Sequence, residues 1–557
     1  MDPKIPHHAE ILSNIKRRLR TETFTAEYIG EIIYRYPELV RLLYANFADI
    51  HSGPTCLPNQ DSFMLPAPAI RALTDLELKQ QISKTVSNEN EQMVWDAFRV
   101  FNSAVLKTNF YTPTKVALSF RLDPKFLPEL EYPQPLHGMF LVISSEARGF
   151  HLRFRDIARG GIRLVKSRNR EAYSINVRSL FDENYSLAHT QQRKNKDIPE
   201  GGSKGVILLD AQHQDSGRVA FEKYVDSIID LLLPAITPGI KDPIVDLYGK
   251  PEMLFLGPDE GTADLVDWAT EHAFTRGAPW WKSFCTGKSP KLGGIPHDVY
   301  GMTTLSVREY VTGIYRKLDL DSSVVKKMQT GGPDGDLGSN EILLSTQNET
   351  YTSIIDGSGV LVDPNGISRL ELIRLAEKRA MISEFDLSCL SKDGYRVLVD
   401  ETNIKLPNGE EVSSGMTFRN TFHLRNMQAG LTDCFVPCGG RPESVDLMSV
   451  NKLIKDGRST IPYVVEGANL FFTQDAKLRL EAAGCIFYKD ASANKGGVTS
   501  SSLEVLASLA FDNDGFVQNM CVSEDGQVCT ISPSKVFVLW PSHLLLSNVR
   551  YLCLCPR

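Results

Sequence analysis

Hydrophobic positions in the first fifty residues follow a helical period. Tyr28, Ile29, Ile32 and Ile33 form one apolar stripe and Leu39, Leu42 and Leu43 a second, with Pro37 placed to open a second helix. The stretch from Ile11 to Phe47 therefore reads as helical packing material. Pro54, Pro58, Pro66 and Pro68 then crowd residues 48–70, which marks a linker, and a larger folded portion is expected from Arg71 onward. Between residues 111 and 160 the pattern turns to strands: VALSFRL at 116–122 and MFLVIS at 139–144 are rich in β-branched and aromatic residues. A further strand is predicted at Val206–Leu209. Directly before it, GGSKG at 201–205 reads as a sharp glycine turn with Lys204 at its centre. The helix that follows has one stripe, Phe221, Tyr224, Val225, Ile228, Ile229 and Leu232, and a water face of Glu222, Lys223, Asp226 and Asp230, until Pro234 ends it. MLFL at 253–256 then runs into GPDEG. Strand, helix and strand in succession imply a right-handed parallel crossover, and Asp259 falls at the carboxyl edge where open α/β sheets bind ligands.

A second unit is expected after the Gly- and Pro-rich connection TGKSPKLGGIPH at 286–297. A helical stretch at 303–317 leads to a short strand, Val324–Gln329, and then to a run containing Gly331, Gly332, Gly335 and Gly338, with a helix expected after Ser339. Another strand follows, ending in Asp356. This is the outline of a dinucleotide-binding βαβ unit, with glycines for the tight turn and close approach of a pyrophosphate, and an acid for the ribose hydroxyls. The run TGGPDGDLG is longer than the usual GxGxxG, and a Gly-rich surface loop is the competing reading. Later strands are suggested by CFVP at 434–437 and YVVEGAN at 463–469. In KDASANKGGVTSSSLEV at 489–505 a Gly-Gly turn is followed by hydroxyls opening a helix, an arrangement that favours an anion or serves as a simple N-cap.

Composition narrows the class. A chain of 557 residues is long enough for several cores, and its 42% hydrophobic and 23% charged residues are ordinary for a soluble globular protein. A formal charge of -7 and a pI near 6.0 disfavour a general nucleic-acid binder. Ten cysteines without a CxxC pair suggest reduced thiols rather than a disulfide scaffold, and no metal site is expected. No signal peptide is visible, and no apolar run reaches the roughly 18 to 20 residues that span a bilayer; VFVLWPSHLLL is too short and is broken by Pro541 and His543.

Against that acidic background, residues 151–205 are locally basic. Arg153, Arg155, Arg159, Arg163, Lys166, Arg168, Arg170, Arg178, Arg193, Lys194, Lys196 and Lys204 face six acidic residues in the same stretch. Such a concentration would draw a small anionic substrate, although a solvated face accounts for part of it.

Seven ordered motifs resemble the glutamate dehydrogenase family, and within it the large NAD-specific members: RDIARGGIR (155–163), TQQRKNKDIPEGGSKGVILLD (190–210), LGPDEGTADLVDWA (256–269), TGKSPKLGGIPHD (286–298), MQTGGPDGDLGSNEI (328–342), VEGANLFFTQDA (465–476) and NKGGVTSSSLE (494–504). The likeness covers roughly residues 70–528. It implies an α/β fold in which a substrate-binding α/β domain and a Rossmann-like dinucleotide-binding domain enclose a cleft. The boundaries it suggests are a helical segment and linker at 1–70, a substrate-binding catalytic domain at 71–285, an NAD-binding domain at 286–488, a segment returning to the cleft at 489–528 and an atypical tail at 529–557.

By the same resemblance, Lys204 takes the position of the catalytic lysine and Asp259 that of the proton-transferring aspartate. Ser501 matches the serine on the substrate carboxylate, and Arg159, Arg163 and Lys194 are the expected substrate-side cations. Thr286, Gly331, Gly332, Gly335, Gly338, Asp356 and Asn469 fall on the cofactor side. The expected reaction is NAD-dependent oxidative deamination of glutamate to 2-oxoglutarate and ammonia, in a cytoplasmic or mitochondrial homo-oligomer with no nucleic-acid or membrane partner. Related enzymes act on leucine, valine or phenylalanine, and a catalytically impaired fragment is a further alternative. Two departures stand out. Arg159 replaces a lysine, and the family's other substrate lysine falls on Gln192, where Arg193 or Lys194 is the nearest cation. The family's large members also extend beyond both ends of this chain, and from Cys529 onward the likeness is lost, in a tail with no acidic residue.

Overall fold

In a computed structural model, the chain forms two compact units, each with a seven-stranded sheet. The structure describes residues 12, 16, 23–52, 71–194, 196–233, 243–346, 348–428 and 431–522. Of the linker expected at 48–70, residues 48–51 instead complete the helix Pro37–His51, and 53–70 lie outside the described residues, as do Pro234 and the tail at 529–557.

The first unit runs to Gln192 and resumes at Glu200–Lys288. Its helices α1 (Ala26–Arg35), α2 (Pro37–His51), α3 (Asp75–Thr85) and α4 (Glu89–Ala104) pack around Ile32, Leu39, Leu78, Ile82 and Trp95. Pro37 opens α2 as expected, and Thr74 and Glu77 form a capping box on α3. The sheet comprises β1 (Val105–Thr108), β2 (Leu118–Leu122), β3 (Gly138–Ile143), β4 (Ala147–Arg153), β5 (Ala158–Val165), β6 (Gly201–Leu209) and β7 (Phe255–Gly257), with α5 (Arg170–Arg193), α6 (Gly217–Leu232) and α7 (Val266–Thr275) among its helices. Strand order is β1-β2-β3-β4-β6-β5-β7. The first four strands are an antiparallel meander, and β5 lies parallel to both β6 and β7, so the expected crossover from β6 through α6 to β7 passes over one strand.

Two expectations are corrected here. GGSKG is not a turn: it is the first half of β6, which is buried throughout. Its glycines serve close packing, because a Cβ on Gly202 would lie 2.1 Å from the Gln192 amide nitrogen at the end of α5. Asp226 and Asp230 do not face water either, being 5% and 3% exposed. Arg276 binds both, at 2.6 and 2.8 Å, and His272 meets Asp226 at 2.7 Å. The helix is covered on two sides, so its second face buries charge in pairs rather than exposing it.

The second unit contains residues 193–199 and the described residues from Ser289 onward. It holds α8 (Met302–Leu318), β8 (Lys326–Thr330), α9 (Asp336–Leu344), β9 (Thr350–Ile355), β10 (Gly359–Val362), α10 (Arg369–Lys378), β11 (Tyr395–Leu398), α11 (Gly415–Gln428), β12 (Cys434–Pro437), β13 (Tyr463–Val465), α12 (Gln474–Ala482), β14 (Ile486–Tyr488), α13 (Gly496–Ala510) and α14 (Asn513–Met520). Strand order is β11-β10-β9-β8-β12-β13-β14, with the five strands from β9 to β14 parallel. The chain moves from β8 one way to β9, and later the other way through β12, β13 and β14. That reversal makes the gap between β8 and β12 a topological switch point, where open α/β sheets bind ligands.

The helix expected after Ser339 begins at Asp336, so the glycine loop is shorter than its sequence suggested. Gly496 and Gly497 likewise belong to α13 instead of forming a turn before it. A Cβ on Gly496 would stand 2.0 Å from the carbonyl oxygen of Met302, so these glycines let α13 lie against α8.

Candidate active site

Lys204 acquires its setting from strand alternation. Gly202, Lys204 and Val206 share the face of β6 that packs on α5, while a Cβ on Gly205 would meet Ile162 and Tyr224 on the other face. Lys204 is 4% exposed, and the Asn184 amide donates to its carbonyl at 3.1 Å. Its ammonium forms an ion pair with Asp259 Oδ2. Asp259 follows β7 directly, and its loop is fixed locally. Its backbone N–H donates to Thr262 Oγ1 at 3.0 Å, its Oδ1 accepts from the Glu260 amide at 2.8 Å, and the Thr262 hydroxyl donates to the Ile162 carbonyl at 2.8 Å. Lysine and aspartate, 55 residues apart in the chain, thus meet across β5.

What allows that meeting is Gly161. A Cβ there would stand 2.9 Å from Asp259 Cβ and 3.1 Å from its Oδ2, so any side chain would push the carboxylate away. Sequence reasoning missed this residue, although the doubled glycine in RGGIR was the available signal. Beside Lys204 lies a small recess, with room for little more than a water molecule, lined by Arg163, Glu183, Lys204, Leu180, Leu187 and Val206 among others.

The basic stretch proves to be neutralised where it reaches this face. Arg159, 5% exposed, pairs with Glu200 at 2.7 Å, and Arg163 lies between Glu183 and Glu260, at 2.8 Å from the latter. Arg159, Arg163 and Lys204 are therefore matched by Glu183, Glu200, Asp259 and Glu260, which corrects the expectation of a concentrated positive potential. Gln192, where a lysine was anticipated, accepts a hydrogen bond from the Gly202 amide at 2.7 Å and so latches α5 to β6. Lys194 is buried but falls in the second unit. Thr286 belongs to the first unit, with its amide on the Leu256 carbonyl at 2.9 Å.

In the second unit the cofactor-side candidates gather at the switch point. Gly331, at φ +83°, packs so closely on the loop after β12 that a Cβ would lie 2.5 Å from the Gly439 nitrogen. Gly338 rests on Gly332, at 2.3 Å from its carbonyl oxygen to a would-be Cβ, whereas Gly335 is open to its surroundings. Asp356 follows β9 and is 2% exposed. Its Oδ1 accepts from the Ser358 amide and hydroxyl at 2.7 and 2.6 Å, and its Oδ2 from the Ile382 amide at 2.7 Å. The carboxylate thus shapes its own DGSG turn. Asn469 lies in the loop after β13, where the Asn494 amide donates to its Oδ1 at 2.7 Å. Asn494, unremarked in the sequence reading, stands in the NKGG motif. Ser501 lies on α13 and turns its hydroxyl back to the Gly497 carbonyl at 2.7 Å, so it presents no free donor in this conformation. Among the described residues no group of side chains suits a metal ion, and no helix is long and apolar enough to cross a membrane.

The Glutamate/Leucine/Phenylalanine/Valine dehydrogenase family matches residues 293–529. The NAD-specific glutamate dehydrogenase of Neurospora crassa is 73% identical over 94% of this chain and 50% of its own length. The probable NAD-specific glutamate dehydrogenase of Schizosaccharomyces pombe is 57% identical over 94% and 47%, and the Saccharomyces cerevisiae NAD-specific enzyme 52% over 95% and 49%. The chain belongs to the glutamate dehydrogenase family. It spans about half the length of the curated relatives it matches. Among solved structures, a glutamate dehydrogenase from Thermus thermophilus overlaps with a TM-score of 0.45 at 17% identity, covering 73% of this chain and 77% of that one.

Proposed function

We propose that this chain is the catalytic portion of an NAD-dependent glutamate dehydrogenase that oxidatively deaminates L-glutamate to 2-oxoglutarate and ammonia. The observation that carries the reading is the Lys204–Asp259 ion pair, cleared by Gly161. The identity to relatives named for this activity supports it over the chain's own length. In this reading residues 71–285 hold the substrate, 286–488 the dinucleotide, and the intact protein is a homo-oligomer.

The second unit fits a dinucleotide. Gly331 and Gly439 bring two loop backbones together at the switch point, the helix α9 opens directly after them, and Asp356 closes the neighbouring strand. Gly331, Gly332 and Gly338 would hold the pyrophosphate loop, and the negative charge of Asp356 disfavours a 2′-phosphate, which is the basis for NAD over NADP. Bound NAD supplies the acceptor for the hydride that leaves the substrate α-carbon.

The chain's own residues then serve hydrolysis of the iminium. Lys204 polarises the attacking water and stabilises negative charge on the oxygen it becomes, while Asp259 moves protons between that oxygen and the departing nitrogen. Arg159 and Arg163 are the cations available to a substrate carboxylate, and each must exchange a resident glutamate for it. Ser501 must likewise leave the Gly497 carbonyl to donate to substrate.

A second reading takes an apolar amino acid as substrate: the family that matches residues 293–529 is named for leucine, phenylalanine and valine as well as glutamate, and Leu180, Leu187 and Val206 lie close to Lys204. The purified chain supplied with NAD and each amino acid in turn separates the two. NADH formation with glutamate and little with the others is expected; the reverse order would replace glutamate by an apolar amino acid, and none at all would leave an impaired fragment.

A further inference from the structure

A buried charged cluster at the end of β13 has no part in the chemistry above. Glu466 is wholly buried, and every hydrogen bond its carboxylate makes is one it accepts. Its Oε1 accepts from the Phe472 amide and from Lys489 Nζ, both at 2.8 Å. Its Oε2 accepts from Lys489 Nζ at 2.7 Å and from the Asp490 amide at 3.1 Å. Four hydrogen bonds from three donor groups, with no acceptor among them, suit an ionised carboxylate, since a protonated one would point its own hydrogen at a donor. Lys489 also donates to the Phe472 carbonyl at 2.8 Å, and Asp490 Oδ2 accepts from the Leu470 amide at 2.7 Å. The Asn494 amide completes the set on the Gly467 carbonyl at 2.8 Å.

These bonds join two segments that the sequence treats as separate motifs. One is 466–472, which carries Asn469 and contains Leu470 at φ +57°, a left-handed conformation that needs support from its surroundings. The other is 489–494, which leads straight into α13 and Ser501. We infer that Glu466, in its ionised form, is the positioning residue that locks the Asn469 loop to the segment entering α13, so that cofactor-side and substrate-side groups are set together. The inference rests on the reading of this unit as a dinucleotide-binding one.

The charged groups that act on Glu466 are Asp490 and Lys489; the β14 carbonyl of Tyr488 and Asn494 add neutral contacts around it. Burial, and then Asp490, push its carboxyl up to about 7, against the pull of Lys489. The lock therefore loosens as pH falls through neutrality, and cofactor binding, which needs the ordered loop, draws a proton off Glu466.

NADH binding to the whole chain, followed by fluorescence between pH 6 and 8.5, tests this. Wild-type affinity is expected to be about tenfold weaker at pH 6 than at pH 8, the ratio for one group titrating near neutrality, with proton release on binding near pH 7. Glu466→Gln should bind weakly at every pH and release no proton. Should that variant fail to fold, Lys489→Met serves, and its midpoint should move to higher pH. A wild-type profile that is flat, or a pH dependence that survives in Glu466→Gln or is unmoved in Lys489→Met, overturns the inference alone. A wild-type chain without affinity for NADH at pH 8 overturns the dinucleotide reading and this inference with it.

Discussion

Lys204 in the first unit and Lys327 in the second are each buried in a strand of their sheet, and the two could hardly be set more differently. Lys327 on β8 has no exposure, and its ammonium bonds Glu341 at 2.8 Å and pairs with Glu349. Arg308 joins the same two acids at 3.1 and 2.9 Å, and the Tyr351 ring centroid lies 4.7 Å from Lys327 Nζ. Burial disfavours that ammonium, yet the acids outweigh it and its pKa is raised well above the usual lysine range. Two cations and two acids close on one another and leave nothing for a ligand. Lys204 pairs with Asp259, whose side chain is 29% exposed, and a small recess lies beside the lysine. Burial and ion pairing are common to both lysines, so neither marks function. A reachable partner and glycines that clear the approach are what separate them.

The largest test of that contrast removes Lys204. With the amine gone there is no group to stabilise the developing oxyanion, and Lys204→Ala should lower glutamate turnover by roughly three orders of magnitude or more. NADH binding and the thermal midpoint should change little. Turnover within tenfold of wild type would make Lys204 as structural as Lys327.

Lys327→Met should do the opposite. It leaves two buried glutamates to one arginine, and breaking a buried charge cluster in this way costs about 3–5 kcal/mol. Denaturant unfolding should show that loss, while the folded fraction keeps its turnover per molecule. Unchanged stability with lost turnover would assign Lys327 to the chemistry and erase the distinction.

How much of this was readable in the sequence differs by element. Strands such as Cys434–Pro437 and the helix begun by Pro37 were legible because period and punctuation are local properties. GGSKG was misread because glycines ordinarily signal turns; here they make room for α5 and for Ile162 and Tyr224, a demand set by residues outside the motif. Asp226 and Asp230 were assigned to solvent because their partner Arg276 lies 46 to 50 residues further on. The same blindness hid the neutralised face: Glu260 and Asp259, which offset Arg163 and Lys204, come from beyond the basic stretch. Lys204, Asp259 and the glycines at 331, 332 and 338 were singled out as candidates by their motifs, whereas Gly161 and Asn494 were passed over although both stand inside such motifs.

Acid should reveal the closed cluster more gently. Burial pushes the Glu349 carboxyl up, but Lys327 and Arg308 prevail and hold it down at about 2, below its ordinary 4.5. A depressed carboxylate contributes stability above the unfolded value, and that contribution is lost as pH falls from 4.5 towards 2. The loss should be on the order of 2–3 kcal/mol across that window. In Lys327→Met the acid-side slope should flatten, because the depression goes with the cation. A slope identical to wild type would mean that Arg308 alone holds the carboxylate.

The finest cut is at Gly161. Adding one methyl group there places a carbon 2.9 Å from Asp259 Cβ, closer than carbons approach, so the loop after β7 must give by a few tenths of an ångström or more. The loop has little room, since Thr262 ties it to the Ile162 carbonyl at 2.8 Å and the Glu260 amide holds Asp259 Oδ1. Gly161→Ala should therefore displace the carboxylate from Lys204 and lower turnover about tenfold, a barrier change of about 1.4 kcal/mol. The same addition at Gly335 meets nothing closer than 3.8 Å and should leave both turnover and NADH binding within a factor of two or so. If Gly161→Ala turns over like wild type, the aspartate does not need its place beside the lysine, and the contrast between the open pair and the closed cluster fails at its narrowest point.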